Sequence, residues 1–370
     1  MKQAVFISKE PHFWNSAQLI IDNIVVSLPE IKRVSTIKEA NQFEQLILLA
    51  DQLKWEDLLP QLNSDIELIL PIFGNLTIEV ERWLKLPKIL EKRKVKIWVA
   101  SRRQYQQACL FFNKELIYEI PFPLLEVFPL SPPSTNLLYS GRITQQKNIL
   151  ELLQVFEVLS LNFRKDLTLH LAGDFHKRGY HLHGIEAINY KEKCLEIIKR
   201  CSNIKYHGSL NQADLRKIIS ICNTSISLST YHDEDYGYSL AQSLLAGHRI
   251  IISDWGGHAN YFNFKEVSII PIKVYNNIPF PDKELLLKKL ISLQPIANKT
   301  NQEIQMQAKD YFSAYRFKKS FDELLLNEPI LFGVISPLFK AYLGKAIKFF
   351  PFHPDVAPDL YSKIYQSYLK

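Results

Sequence analysis

Apolar positions fall into short β-branched or leucine-rich runs that alternate with amphipathic stretches. Ala4–Ile7 reads as a strand, and Ser16–Leu28 as a helix with Leu19, Ile20, Ile24 and Leu28 on one face. Leu46–Ala50 is a second apolar run. Ile66–Leu70 is a strand ending at Pro71 and the turn Gly74-Asn75. A helix follows from about Thr77, then the strand Val95–Ala100. This rhythm predicts a parallel sheet with helices over it. Residues 121–135, PFPLLEVFPLSPPST, hold five prolines and predict a linker.

A second series starts at Leu137–Tyr139. Strands are predicted at Leu167–Ala172, Ile204–Tyr206, Thr224–Leu228, Ile250–Ile252 and Val267–Pro271. The helices between and after them are Asn148–Leu159, Tyr190–Arg200, Asp214–Ile221 and Lys283–Leu293. The expected organisation is a first βα domain over 1–130, a second over 131–328, and an aromatic segment over 329–370. That last segment is expected to be helical and to cross back to the first domain.

Composition adds limits. The 370 residues suffice for two cores, and 47% hydrophobic with 22% charged residues is ordinary globular usage. The net charge of +7 is concentrated in residues 131–320, with 24 Lys/Arg against 17 Asp/Glu. Such an excess suits an anionic small ligand, whereas aromatics and cations do not alternate as a nucleic-acid surface would require. The four cysteines show no metal or CxxC spacing, so reduced core thiols are expected. His176, His181 and His183 share a polar loop without supporting Cys or carboxylates, and no metal is expected there. The N-terminus lacks a signal-like apolar run, and no stretch is long enough to span a membrane. A cytoplasmic protein is expected, peripheral at most on the inner face of the membrane. Arg82–Arg103, with nine Lys/Arg and one Glu, is expected to form a basic face able to meet an anionic membrane surface.

Two constellations carry the chemistry. In Gly141-Arg142-Ile143-Thr144-Gln145-Gln146-Lys147-Asn148, two cations follow a strand end, and Lys147 opens the next helix. A planar guanidinium and a compact ammonium beside a helix dipole can neutralise two phosphates. The alternative is a surface turn with two solvated cations. In Tyr231–Gly257, an acidic cluster (Asp233, Glu234, Asp235) precedes Gly237, a short helix, a strand and Gly256-Gly257. N–H groups near Gly237, Tyr238 and Ser239 at the helix start can receive phosphate. Glu234 and Gln242 can accept hydrogen bonds from sugar hydroxyls in a cleft. Alternatively, the acids satisfy the helix dipole.

Together, over roughly Asn136–Tyr261, these segments resemble the retaining GT-B glycosyltransferases with a group 1 donor domain. The resemblance rests on Gly141-Arg142…Lys147-Asn148-Ile149-Leu150, on EDYGYSLAQSLLAGHRIIISDWGG, and on the strand ends LHLAGD and NIKYHGSL. It implies two Rossmann-like domains facing a cleft. It further implies sugar transfer with retention from a nucleoside-diphosphate sugar to a glycan or glycolipid, as in cell-surface polysaccharide or lipopolysaccharide synthesis, without metal or other cofactor. Arg142 and Lys147 would hold the donor diphosphate, Glu234 the transferred sugar and position 242 the ribose. Gly141, Gly173 and the amides of Gly237, Tyr238 and Ser239 would complete the donor site. Several departures stand out, among them a short first domain whose N-terminal strand lacks the Gly-rich loop that often approaches donor and acceptor. Gln242 replaces the family's second Glu, His248-Arg249 replaces a proline, and no His matches the one expected after an acceptor-domain strand, where ILPIFGNLT stands. Gln242→Glu is accordingly expected to leave donor affinity equal or better. A non-catalytic nucleotide-sugar-binding relative or assembly partner, or a nucleotide-sugar epimerase of similar fold, remain as alternatives.

Overall fold

The structure is a computed structural model, and it describes residues 2–8, 15–51, 54–74, 86–176, 189–230, 234–275 and 278–332. Thr77, His181, His183, Asp233 and the tail beyond Phe332 lie outside the described residues.

The first sheet contains β1 (Gln3–Ile7), β2 (Lys32–Val34), β3 (Gln45–Leu49), β4 (Glu67–Pro71), β5 (Lys94–Val99) and β6 (Ile117–Glu119). Its order is β2-β1-β3-β4-β5, all parallel, and β6 pairs with the outer edge of β5 near its carboxyl end. β3 and β4 are buried along their whole length, which is why they read as continuous apolar runs.

The second sheet contains β7 (Asn136–Ser140), β8 (Thr168–Ala172), β9 (Ile204–Gly208), β10 (Thr224–Ser227), β11 (Arg249–Ser253) and β12 (Val267–Ile270). Its order is β9-β8-β7-β10-β11-β12, all parallel. The order reverses between β7 and β10. In an open α/β sheet the connections from two such strands leave in opposite directions and open a crevice at their carboxyl ends. Both predicted constellations leave from these two strands. A small antiparallel pair, β13 (Ile272–Tyr275) with β14 (Ile278–Pro281), follows.

The proline-rich stretch 121–135 contains neither strand nor helix and runs along the second domain. Ser131 N–H donates to the Ala246 carbonyl (3.0 Å), and the Tyr236 hydroxyl donates to the Phe122 carbonyl (2.7 Å). One apolar cluster joins both domains through this stretch: Trp98 from the first sheet, Phe122 and Phe128 from the linker, Tyr236 and Leu240 from the second domain, and Phe317 and Phe321.

The return to the first domain begins earlier than expected. Helix Asn298–Tyr311 packs on helix Tyr238–Leu245, and helix Ala314–Leu326 packs on helix Asn15–Ser27. Ile330–Leu331 then forms β15, antiparallel to the start of β5, so this part of the 329–370 segment is strand and not helix. Alternation of Ile330 and Phe332 with Leu331 suits an edge strand: Phe332 is buried against the first core while Leu331 is exposed.

Of the nine cations of Arg82–Arg103, Arg82 and Lys85 lie outside the described residues, and the seven described ones do not all share an exposed basic face. Lys88, Lys92, Lys94 and Arg102 are exposed, but three others turn inward. Arg93 donates to the carbonyls of Leu59, Leu62 and Asn63, Lys96 pairs with Glu67, and Arg103 pairs with Asp254. Arg93 and Lys96 answer buried polar groups, while the Asp254 that Arg103 meets is one-third exposed. Among the described residues no helix is long and apolar enough to cross a membrane.

Candidate functional site

The turn after β7 is shaped by glycines. Gly141, Gly173 and Gly208 end β7, β8 and β9 in turn, and the strand ends are tied by Gly141 N–H to Ala172 O (2.9 Å) and Gly173 N–H to Gly208 O (2.8 Å). A Cβ on Gly173, where φ is +147°, would stand 1.8 Å from the Gly141 carbonyl oxygen. Only glycine permits this approach. The turn continues through a 3-10 segment, Gln145–Lys147, to Asn148 in the left-handed region (φ 53°), which starts helix Ile149–Asn162. The Asn148 side chain donates to the Leu228 carbonyl (2.7 Å) and to the Thr230 hydroxyl (2.9 Å), just beyond β10. Thr230 N–H donates to Gln146 O (2.8 Å). These bonds lock the β7 turn to the β10 turn.

That lock brings Lys147 to Glu234. Lys147 Nζ donates to Glu234 Oε2 in an ion pair whose side chains are 16% and 9% exposed. Burial would raise the Glu234 pKa, but Lys147 and then His258 outweigh it and hold it at about 2. His258 Nε2 lies 3.9 Å from Glu234 Oε2. Its ring is fully buried between Ser253 Oγ (2.9 Å from Nδ1) and Ser227 Oγ (3.2 Å from Nε2). Burial lowers its pKa to about 4 against the pull of Glu234, so it is neutral at pH 7. Arg142 is exposed, and its carbonyl accepts from the Tyr139 hydroxyl (2.6 Å).

Helix Tyr238–Leu245 starts from Gly237 (φ 73°). The first-turn N–H groups of an α-helix have no partner inside the helix. Those of Tyr238 and Ser239 are therefore available to an acceptor from outside the helix, which suits an anion. The turn is held shut from behind: Gly257 N–H donates to the Glu234 carbonyl (2.6 Å), and a Cβ on Gly257 would lie 2.0 Å from the Asp235 carbonyl oxygen.

Gln242 takes a different place from the one expected. It is 3% exposed and directed at the linker, where Nε2 donates to Glu126 Oε1 and Oε2 (3.1 and 3.0 Å). The departure at His248 also has a structural account. Its buried ring meets Ser131 Oγ (3.0 Å), Ser225 Oγ (2.9 Å) and Ile219 O (2.9 Å), tying the linker to the second domain.

The first domain reaches the site through two contacts that the sequence did not disclose. Gly74 N–H donates to Asp235 Oδ2 (2.7 Å), and Arg103 pairs with Asp254 (2.5 Å). The loop before Gly74 is fastened by Gln104, which donates to the carbonyls of Ile72 (3.1 Å) and Gly74 (2.5 Å). Burial raises the Asp235 pKa to about 6, the Gly74 bond opposing and Glu234 adding to the shift. The only sequence signal for these partners is that Gly74 and Arg103 follow shortly after the carboxyl ends of β4 and β5. Among the described residues no group of three or more His, Cys, Asp or Glu is gathered to hold a metal.

Residues 127–275 match the family described as Glycosyl transferases group 1. No curated protein matches the chain. Among solved structures, HepE of Anabaena in complex with UDP and glucose superposes with a TM-score of 0.63 at 13% identity, over 89% of this chain and 100% of that one. The lipopolysaccharide outer core galactosyltransferase WaaB gives 0.58 at 13% identity, over 88% and 99%. AviGT4, a glycosyltransferase of avilamycin A biosynthesis, gives 0.53 at 13% identity, over 89% and 99%. The chain thus has the GT-B fold, and its residues 127–275 match the group 1 glycosyl transferases.

Proposed function

We propose that the protein is a glycosyltransferase that takes a sugar from a nucleoside-diphosphate sugar and transfers it, with retention, to a glycan or glycolipid acceptor. The observation that carries this reading is the Lys147–Glu234 pair at the carboxyl ends of β7 and β10, beside the helix start at Gly237. Breaking the bond between the sugar and the terminal phosphate leaves an extra negative charge on the departing nucleoside diphosphate. Lys147, Arg142 and the amides of Tyr238 and Ser239 supply cation and N–H donors where that charge appears. Glu234, ionised through the pH range of growth, accepts from hydroxyls of the transferred sugar and orients it. Gly141 and Gly173 keep the strand ends close enough to leave the crevice open above them.

Similarity to structures bound to UDP, UDP-glucose or UDP with glucose supports a nucleotide-sugar donor. Similarity to an outer core galactosyltransferase supports a surface-glycan acceptor. The domain facing the crevice across Gly74 and Arg103 is the acceptor side in this reading. Purified protein incubated with a panel of nucleoside-diphosphate sugars and acceptor extract is expected to release free nucleotide. Absence of binding to every member of the panel would remove the donor-site assignment, and binding without release would favour a non-catalytic relative.

A further inference from the structure

We propose that Glu126, in the linker, is the carboxylate that receives a pentose hydroxyl of the donor nucleotide, positioned for that role by Gln242 and Tyr238. The proposal rests on the nucleotide-sugar reading above. Glu126 lies between the strand segments of the two domains, yet its side chain is only 12% exposed and is held on one face of helix Tyr238–Leu245. The Tyr238 hydroxyl donates to Oε2 (2.9 Å), the Gln242 amide donates to both oxygens (3.1 and 3.0 Å), and Arg216 stands 3.5 Å from Oε1. Tyr238 is further bonded to Asn23 of the first domain, so the carboxylate sits where the two domains meet.

Position along the helix identifies the ligand part. Phosphate at the Tyr238 and Ser239 amides occupies the first turn, and residues four apart lie one turn, ~5.4 Å, further on. In a nucleotide, the group joined to the phosphate on the nucleoside side is the pentose, whose hydroxyls are donors. A carboxylate offers about four acceptor sites. Tyr238 and Gln242 occupy three on Glu126, and the half-exposed Arg216, 3.5 Å from Oε1, stands at the fourth, which a hydroxyl takes by displacing that guanidinium toward solvent. An amide at 242 is the residue type that fits, because it donates to Glu126, whereas a carboxylate there would place two like charges at hydrogen-bond distance. Gln242 is thus the complement of a carboxylate moved into the linker, and Gln242→Glu alone is expected to weaken binding, against the expectation from sequence.

The test compares wild type, Glu126→Gln, Gln242→Glu and the double variant for binding of UDP and 2′-deoxy- and 3′-deoxy-UDP by calorimetry, with melting temperatures measured in parallel. Wild type is expected to prefer UDP over one deoxy analogue by about tenfold, equivalent to ~1.4 kcal/mol. Glu126→Gln is expected to lose that preference at unchanged melting temperature, Gln242→Glu to bind UDP at least tenfold more weakly, and the double variant to recover the preference. A Glu126→Gln protein that keeps the preference overturns the proposal and leaves the donor reading intact. Wild type that binds UDP and both analogues equally also overturns it. If wild type binds none of UDP, ADP or GDP, the donor reading itself falls and takes this inference with it.

Discussion

Lys147 and Glu234, 87 positions apart in the chain, form a buried ion pair across the two strand ends where the second sheet reverses its order. Without a ligand each neutralises the other, and in the proposed reading the donor diphosphate would offer Lys147 a second anionic partner.

Lys147→Met is therefore expected to lower nucleotide release by about a hundredfold or more, on the order of 3 kcal/mol of transition-state stabilisation. It also leaves Glu234 buried without its cation, so the melting temperature falls. Adding Glu234→Gln should recover the melting temperature but not turnover. Arg142→Ala, at an exposed position, should lower turnover with little effect on melting. Unchanged release in both single variants would remove their diphosphate role.

The raised pKa of Asp235 has a stability consequence of definite sign. Its unfolded value is near 3.8 and its folded value about 6. Between these the folded protein binds more protons, so this group's contribution to stability falls as pH rises from ~4 through ~6. Asp235→Asn, which can still accept from Gly74 N–H, should be more stable than wild type above pH 6 by roughly 1–2 kcal/mol and show no advantage near pH 4. Denaturant midpoints of both proteins from pH 4 to 8 measure the difference, and parallel curves would refute the shift.

His248 shows the opposite sign. Burial lowers its pKa from 6.5 to about 4, so the folded state excludes a proton that the unfolded chain takes up. Its contribution is fully present above pH 6.5 and is lost as pH falls toward 4, on the order of 3 kcal/mol in total. His248→Leu, which keeps the backbone N–H that donates to Ser243 O (3.0 Å), should flatten that part of the acid limb. It should also cost about 1–3 kcal/mol at pH 7, by leaving buried Ser131 and Ser225 hydroxyls short of a partner. A melting temperature equal to wild type at pH 7 would show that the linker does not depend on this ring.

Lys96 anchors the returning helix. It pairs with buried Glu67 (2.7 Å), which also accepts from Gln45 (2.7 Å), and it reaches the Leu325 carbonyl (3.4 Å) in the last turn of helix Ala314–Leu326. Lys96→Met leaves Glu67 without its cation and should destabilise by about 3–5 kcal/mol. Lys96→Met with Glu67→Gln should recover most of it. Equal destabilisation of single and double variants in urea titrations would indicate that the helix contact, and not the stranded charge, dominates.

Gly257→Ala tests the turn that presents Glu234. The added methyl would lie 2.0 Å from the Asp235 carbonyl oxygen and 2.5 Å from Tyr236 N, both backbone atoms that cannot rotate away. Donor binding should be lost well before the fold is, read as absent calorimetric heat in a protein that still melts cooperatively. Full binding by this variant would contradict the geometry.

Much of this was legible in the chain. Period and punctuation placed the strands, because segments such as Leu46–Leu49 and Ile250–Ile252 are buried on both faces and so are apolar throughout. The irregular proline-rich stretch and the positions of Lys147 and Glu234 just past strand ends were legible for the same kind of reason. Glycines at strand ends and charges beside them have few purely structural uses.

What the sequence determined by itself was local: which segments are strands or helices, where the chain turns, and which polar groups stand at turn positions. Tertiary structure alone decided which of those groups meet. Gln242 looked like a cleft residue until Glu126, 116 positions earlier, was found on its amide. Arg103 and Lys96 looked like parts of a basic surface until Asp254 and Glu67 were found opposite them. The physical reason is that a side chain's partner across a domain junction leaves no periodic trace in its own segment. Burial, charge pairing and pKa follow from that partner, and only the assembled domains supply it.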